Sequence, residues 1–352
     1  MSLLDQTLAA IRAPDAEVAR LTQVALDAKT KPRRSLGRLE DLACQIASIR
    51  GLTAPPLPRP GIVVMAADHG VSDEGVSAYP AEVTAQMLLN FARGGAAINV
   101  LARQTGARLL VVDMGTRAPA PNTDGVVSRR IGPGTRNFTR GPAMTAAEAV
   151  QALETGIALA AGLADDGIDL VGLGEMGIGN TTAASALTAA LLGLPAAEVT
   201  GRGTGIDDET WRRKVEAVHR ALEVNRPDAG DPLAVLAALG GFEIAGLAGV
   251  ALGAAARRLP VLVDGFIAGV AALVAARLAP PVAAHVVAAH RSVEIGHRVV
   301  LAALGARPLL DLDLRLGEGT GAALAVPLVQ AAVRLLHEMA TFAAAGVSDS
   351  GR

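Results

Sequence analysis

The sequence predicts an α/β protein on a parallel sheet, with helical segments at both chain ends, and three observations predict it. Between Gly61 and about Leu314, short β-prone apolar runs alternate with Ala-rich helical stretches, the texture of βαβ units. Before Gly61 and after Thr320 the apolar residues fall at helical spacing. The 352 residues are 51% hydrophobic but only 2% aromatic, with a mean hydropathy of +0.39, so the apolar mass is Ala, Leu, Val and Ile and disorder is excluded.

The leading segment carries Leu4, Leu8 and Ile11, then Val18, Leu21, Val24 and Ala25, then Leu36, Leu39, Leu42, Ala43 and Ile46. This spacing predicts two or three amphipathic helices, with Ser35 placed to cap the third. The run TAPPLPRPG (53–61) cannot continue a helix and closes the leader. Four β-prone runs then end alike: GIVVMAADHG (61–70), RLLVVDMGT (108–116), IDLVGLGEMG (168–177) and PVLVDGF (260–266), each closing with a carboxylate near glycine. Ligands of open parallel sheets bind outside the carboxyl ends of the strands, so Asp68, Asp113, Glu175 and Asp264 are expected to line one crevice. A fifth run, AAHVVAAHRS (283–292), ends in His290, Arg291 and Ser292. Residues 75–103 predict a turn, a helix from about Pro80, a glycine pair and a second helix; the tail from Thr320 to about Ala345 predicts one or two more. No 20- to 50-residue repeat is present.

The balance of charge narrows the function. With 32 basic and 34 acidic residues and no long run of either, the chain lacks the basic surface that nucleic acid requires. The single Cys44 can form neither an internal disulfide nor a cysteine zinc site. The longest uncharged stretch, between Glu175 and Glu198, is long enough to span a bilayer. Its Gly177, Gly179, Asn180, Thr181, Thr182, Ser185, Thr188 and Pro195 mark it as buried in protein instead. The first residues lack a basic, then apolar, secretory signal, and the cytoplasm is the expected location.

The sharpest local pattern is LGEMGIGNTTAASAL (173–187), a strand, a glycine-interrupted turn and a helix opening with Asn180, Thr181 and Thr182. Glycines let the backbone approach an anion and a helix N-terminus supplies free amides, so the turn reads as a phosphate cradle; it reads equally as a capped strand-to-helix turn. It is neither a Walker A loop nor an ordered GxGxxG, and the first strand-turn lacks GxGxxG as well, which weakens a dinucleotide dehydrogenase. A second turn, TGRGTGIDDE (200–209), precedes a helix with Trp211 and Lys214; Lys214 is either a phosphate contact or part of a solvated face. In LDLRLGEGTGAAL (312–324), Glu318 is held between glycines, either as a general base or as a first-turn Glu favoured by the helix dipole, while Asp311, Asp313 and Arg315 read as a polar strand face. Tyr79, the only tyrosine, is either a wall for a flat ligand or a loop aromatic over the core. The histidines show no metal-ligand spacing, and no metal site is expected.

Taken in order, KPRRSLGRLE (31–40), MAADHGV (65–71), GVSAYPAEVTAQM (75–87), RGGAAINVLA (93–102), DMGT (113–116), TRNFTRGPAMT (135–145), GLGEMGIGNTTAASAL (172–187), TGRGTG (200–205), LAALGGFEIAGLAG (236–249), VDGFIAG (263–269), AHRSVEIGH (289–297) and LGEGTGAALA (316–325) resemble one family nearly end to end. It is the nicotinate-nucleotide:dimethylbenzimidazole phosphoribosyltransferases of cobalamin lower-ligand synthesis. The resemblance implies transfer of the phosphoribosyl group of nicotinate mononucleotide to 5,6-dimethylbenzimidazole, giving α-ribazole 5′-phosphate and nicotinate, with no cofactor and no metal. It implies Glu318 as the catalytic base. Glu175, Gly177, Asn180, Thr181, Gly203, Lys214, Asp264 and Ser292 are implied in the nucleotide and phosphate region. Tyr79, Gln86 and Met87 are implied in the benzimidazole pocket, where family members carry Ser in place of Tyr79 and Gln in place of Met87. The implied architecture is a Rossmann-like sheet in a large catalytic domain (56–319), with a smaller helical domain from residues 1–55 and 320–352, assembled as a homodimer. Two other readings of the glycine turns stand beside it: a nucleotide N-glycosidase with water as acceptor, and a nucleotide-binding module without chemistry.

Overall fold

The computed structural model describes residues 1–118, 124–203 and 205–348. The apolar runs form six parallel strands, β1 (Pro60–Ala67), β2 (Arg108–Gly115), β3 (Val126–Ser128), β4 (Leu170–Met176), β5 (Val261–Val263) and β6 (Val286–Ala288), in the order β3-β2-β1-β4-β5-β6. Five coincide with the runs expected from sequence. β3 is additional: three residues paired only with β2, through Val111↔Val126 and Val112↔Val127, it is too short for alternation to reveal. The order is that of a doubly wound sheet, and its direction reverses between β1 and β4. The carboxyl ends of those two strands are where such a sheet leaves a crevice.

Among the described residues, fifteen α-helices surround the sheet. The leader forms α1 (Leu3–Ala10), α2 (Ala16–Asp27) and α3 (Arg38–Arg50). Between β1 and β2 lie α4 (Val83–Ala92) and α5 (Ala97–Thr105), and between β3 and β4 lies α6 (Ala146–Asp165). The long β4–β5 crossover holds α7 (Asn180–Leu192), α8 (Ala196–Val199), α9 (Asp208–Asn225), α10 (Pro232–Leu239) and α11 (Phe242–Ala256). Then come α12 (Phe266–Leu278), α13 (Ile295–Ala303), α14 (Thr320–Glu338) and α15 (Phe342–Ala345). Ser35 caps no helix. α3 starts at Arg38 behind Gly37, whose φ of 52° redirects the chain, and the Glu40 side chain takes the Leu36 N–H at 3.0 Å in place of a cap.

β1 is buried along its length, and its alternate side chains feed two layers. Val63, Met65 and Ala67 join the core of α6, α7, α11 and α12, while Ile62, Val64 and Ala66 pack with Leu88, Phe91, Ile98 and Ala323 from α4, α5 and α14. The first layer depends on small residues. On α6 and α11, a Cβ at Gly156 would collide with the Gly246 carbonyl, and one at Gly249 with the Leu153 carbonyl, so the helix backbones meet without intervening side chains.

The two chain ends meet on the second layer. Leu26, Leu42 and Ile46 share a cluster with Val326, Val329 and Val333 of α14 and with Leu170 and Leu262 of the sheet. Lys29 Nζ donates to the Met339 carbonyl at 2.7 Å, and the buried Lys31 and Glu40 pair at 2.9 Å. α1 packs instead against α6 and α11, on the opposite layer. By length and composition α14 is apolar enough to cross a membrane, but 56% of it is buried against the sheet and neighbouring helices, the setting of a core helix. The uncharged stretch after Glu175 becomes α7, buried on nearly every side.

Gly249→Ala is expected to destabilise the protein by about 1–3 kcal/mol or more through overpacking of α6 on α11. Gly162→Ala, on the exposed side of α6 with nothing within 4 Å of the added carbon, is expected to stabilise by roughly 0.5–1 kcal/mol. Urea unfolding of both variants beside the parent checks the pair of opposite signs.

Candidate active site

Glu318 stands in a loop of three successive left-handed residues, Gly317, Glu318 and Gly319, with φ of 83°, 62° and 82°. For a non-glycine residue this conformation costs roughly 1–2 kcal/mol, and such strain concentrates at functional positions. The loop is pressed onto β4. Glu318 N–H donates to the Glu175 carbonyl at 3.2 Å, and a Cβ at Gly174 would come 2.5 Å from Gly319 N, so only glycine fits there.

Asp264, at the end of β5, holds the loop from the other side. Its Oδ1 accepts from Gly321 N at 2.6 Å and Ala322 N at 3.1 Å, and its Oδ2 accepts from Gly319 N at 3.1 Å. These are orphan donors of the first turn of α14, whose own N-cap, Gly319, has no side chain to offer. His290 Nε2 lies 3.3 Å from the same Oδ1. Thus fixed, Glu318 Oε2 accepts from Ile98 N at 3.3 Å, in the first turn of α5. Burial pushes the Glu318 carboxyl above its ordinary range; the Ile98 N–H opposes the rise and the Asp264 charge adds to it.

Glu175 ends β4 beside this loop and accepts from Asn180 Nδ2 at the start of α7. Burial, then the charges of Asp264 and Glu243, push its carboxyl up to about 8, against the Asn180 hydrogen bond. Lys214, from α9, is buried rather than on a solvated face. Its Nζ donates to Thr181 Oγ1 at 2.8 Å and to the Gly201 carbonyl at 3.2 Å, and burial lowers it to about 8. Ser292 lies on a turn held by its own N–H, which donates to His297 Nδ1 at 3.0 Å; burial depresses His297 to about 3, so that ring is a neutral acceptor.

These groups enclose a cavity of about 100 Å³ lined by Glu175, Gly177, Asn180, Thr181, Gly203 and Ser292, and also by His290, Glu294, Phe266 and Arg315. It adjoins a cavity of about 60 Å³ that shares Gly177, Asn180, Thr181 and Gly203 and adds Tyr79, Arg202 and Lys214. Lys214 and the amides of the α7 N-terminus suit an anion at this end. Glu175 and Gly317 stand in the wall elsewhere; the Glu318 carboxylate, next to Gly317 and turned to Ile98 N, lines neither cavity itself.

The expected single crevice of strand-end carboxylates is therefore corrected. Only Glu175 lines the cavity, and Asp264 stands behind it as a cap. Asp113 turns back on its own loop, accepting from Gly115 N at 2.9 Å and Thr116 N at 3.0 Å, and Asp68 accepts from Arg117 N at 2.7 Å. Tyr79 lines the smaller cavity although about half exposed. Gln86 is exposed on α4, and Met87 packs with Met176 on the cluster that contains Ile98. Neither lines either cavity, although α4 is tied to the glycine turn by Ile178 N donating to Thr84 Oγ1 at 3.1 Å.

Sequence reasoning passed over four residues. Arg315, read as a polar strand face, lines the cavity, as does Glu294. His69 and Glu243, fully buried, pair at 2.6 Å directly beneath Gly177, where a Cβ would come 3.2 Å from His69 Nε2. Only the neighbouring glycines hinted at them. Among the described residues no three His, Cys, Asp or Glu side chains are grouped as a metal site.

The chain matches the model of a phosphoribosyltransferase family over residues 11–347. It is 57% identical over 349 residues to the nicotinate-nucleotide–dimethylbenzimidazole phosphoribosyltransferase of Chloroflexus aggregans, covering 99% of each chain. To the enzyme of that name from Geobacter metallireducens it is 56% identical over 352 residues, covering 100% of this chain and 99% of the other. Among solved structures it is similar to CobT from Thermus thermophilus, with a TM-score of 0.92 and 51% identity over 95% of this chain and 100% of that one.

Because the folded protein holds the Glu175 proton up to about pH 8 while a free carboxyl releases it near 4.5, its folded state gains from that proton below the window and loses the gain as pH rises through it. The stability of the parent relative to Glu175→Gln is expected to fall between pH 4.5 and 8, by at most about 1.4 kcal/mol per pH unit. Urea titrations of both proteins at unit pH steps measure it, and a flat difference would mean that Glu175 is ionised throughout.

Proposed function

The chain belongs to the nicotinate-nucleotide–dimethylbenzimidazole phosphoribosyltransferase family, and we propose that it transfers the phosphoribosyl group of nicotinate mononucleotide to 5,6-dimethylbenzimidazole, with Glu318 as the base. The observation that supports the assignment is the strained, capped loop that sets the Glu318 carboxylate, above its ordinary pKa, against Glu175 at the end of β4, the strand that leads into the glycine turn.

The phosphate lies toward Lys214, Thr181, Gly203 and Ser292, and the ring end toward Glu175 and Glu318. Glu318 removes the azole N–H proton while the other ring nitrogen forms the bond to the anomeric carbon. The glycosidic C–N bond breaks and its electron pair stays on the pyridine nitrogen, so nicotinate leaves without needing a proton. Attack opposite the leaving ring turns the β-nucleotide into an α-nucleotide. The raised pKa of Glu318 suits a base working near neutral pH, and the enclosed cavity excludes the water that would otherwise compete as acceptor. Tyr79, with Gln86 and Met87 on α4, is assigned to the acceptor side; Tyr79 at the cavity wall and Met87 on the Ile98 cluster support this. We assign the protein to the cytoplasm as a homodimer. Half-exposed Val293 and Ile295, which flank Glu294, and Leu316, which lines the cavity, give a second copy an apolar rim to cover.

Chromatography of nicotinate and α-ribazole 5′-phosphate, with and without the azole, is expected to show both products in equal amounts and only with azole. Nicotinate release at full rate without azole would make the protein an N-glycosidase. Glu318→Gln is expected to lower turnover about 10²- to 10⁴-fold while keeping the fold and mononucleotide binding. Near-parental turnover in that variant would remove Glu318 from the role of base.

A further inference from the structure

We propose that Glu294 binds the vicinal hydroxyls of the ribose and makes the site selective for ribonucleotides over deoxyribonucleotides; this rests on the phosphoribosyl reading above. Glu294 precedes α13, is 6% exposed and forms part of the cavity wall. Its carboxylate lies against Gly201, where any Cβ would collide with it, and its Oε2 is buried with no hydrogen-bond partner among the described residues. The Glu294 charge acts on Lys214, but Lys214 Nζ donates to Thr181 and to the carbonyl of that same Gly201 and makes no hydrogen bond to the Glu294 carboxylate. The Glu294 N–H donates to Ser292 Oγ at 3.3 Å, which ties the residue to the turn assigned to phosphate.

A buried, unpaired carboxylate oxygen is costly, and an acceptor-only group is completed only by a donor. Of the groups a nicotinate mononucleotide brings, the phosphate and the ring carboxylate are anions that Glu294 repels, and the pyridine nitrogen has no proton to give. The ribose hydroxyls are the donors left. Position is compatible with this: the wall that holds Glu294 also carries Thr181 and Gly203, shared with the Lys214 cavity, and Gly317, the residue before Glu318, so it runs from the phosphate end toward the Glu318 loop. The sugar of a mononucleotide spans that interval.

The test compares kcat/KM for nicotinate mononucleotide with that for its 2′-deoxy and 3′-deoxy analogues in the parent, Glu294→Gln and Glu294→Ala. A hydrogen bond to a charged acceptor corresponds to roughly 10- to 100-fold, and the parent is expected to prefer the ribonucleotide by that factor. Both variants are expected to bring the preference to within a few-fold, with the loss falling on the ribonucleotide. A parent without preference, or variants slowed equally on all three substrates, overturns the assignment, the latter because a purely structural role lowers every rate alike. Calorimetry with ribose 5-phosphate against its 2-deoxy and 3-deoxy forms, without azole, reads the same contact independently of turnover. A preference there that Glu294→Gln abolishes supports the assignment even if no azole product forms, in which case the transferase reading alone fails; equal binding of all three sugar phosphates overturns the assignment.

Discussion

The carboxylate of Asp264 accepts three backbone N–H groups from the start of α14, and through that turn it decides where Glu318 stands. The magnitudes favour the arrangement. Hydrogen bonds to a charged acceptor contribute about 1.5–3 kcal/mol each, whereas the left-handed conformation of Glu318 costs roughly 1–2 kcal/mol, so the cap outweighs the strain. The cap belongs to β5 and the loop to the segment before α14, with Gly174 of β4 beneath. The carboxyl ends of neighbouring strands therefore position Glu318, and the loop's own sequence has only to supply glycines on either side.

Burial acts on the two ends of the cavity in opposite directions. It raises Glu175 to about 8 and lowers Lys214 to about 8, so each is brought from its solution range toward the same pH. Near neutrality Glu175 holds its proton, which keeps a further negative charge out of the cavity wall in front of Asp264 and Glu318. Lys214 remains charged there and offers its remaining donor beside the α7 N-terminus. A substrate with a phosphate at one end and a carbon gaining positive charge at the other is oriented by that asymmetry before any specific contact forms. Beneath Gly177, the buried His69–Glu243 pair supplies rigidity of another kind, since the glycine turn rests on groups that cannot shift without unpairing a buried carboxylate.

The sequence carried the sheet well because strand-end glycines and carboxylates punctuate β1, β2, β4 and β5, and burial on both faces made the runs continuous. β3 escaped because three residues hold no period, and Ser35 misled because local capping chemistry competes with a glycine turn whose φ only the fold fixes. The glycine turn at 177–181 and Glu318 were legible as placed groups, but their partners were not. Nothing in the chain near Glu318 announces Asp264 as its cap, and Lys214, in the helix with the most polar surroundings, gave no sign of burial. Glu294, between two half-exposed apolar residues, looks like a surface carboxylate in the linear text. Each of these is a contact between segments far apart in the chain, the kind of information that periodicity does not contain.

The cavities measure about 100 and 60 Å³, below the roughly 300–1,000 Å³ of small-molecule sites, so part of the wall must yield when a mononucleotide and an azole enter. The hydrogen bonds say which part. Glu175, Asp264, Glu318 and Lys214 are each buried and tied to backbone or to a second buried group, and moving any of them breaks those ties. Arg315 and Leu316, by contrast, are exposed where they reach the cavity, and they follow Asp313, another non-glycine residue with a left-handed φ, of 53°. Expansion at the 313–316 stretch costs few contacts and leaves the capped Glu318 in place one residue past Gly317. A cavity built this way opens at its rim while the capped Glu318 loop behind it stays fixed, which is what a transfer reaction that must admit two substrates and exclude water requires.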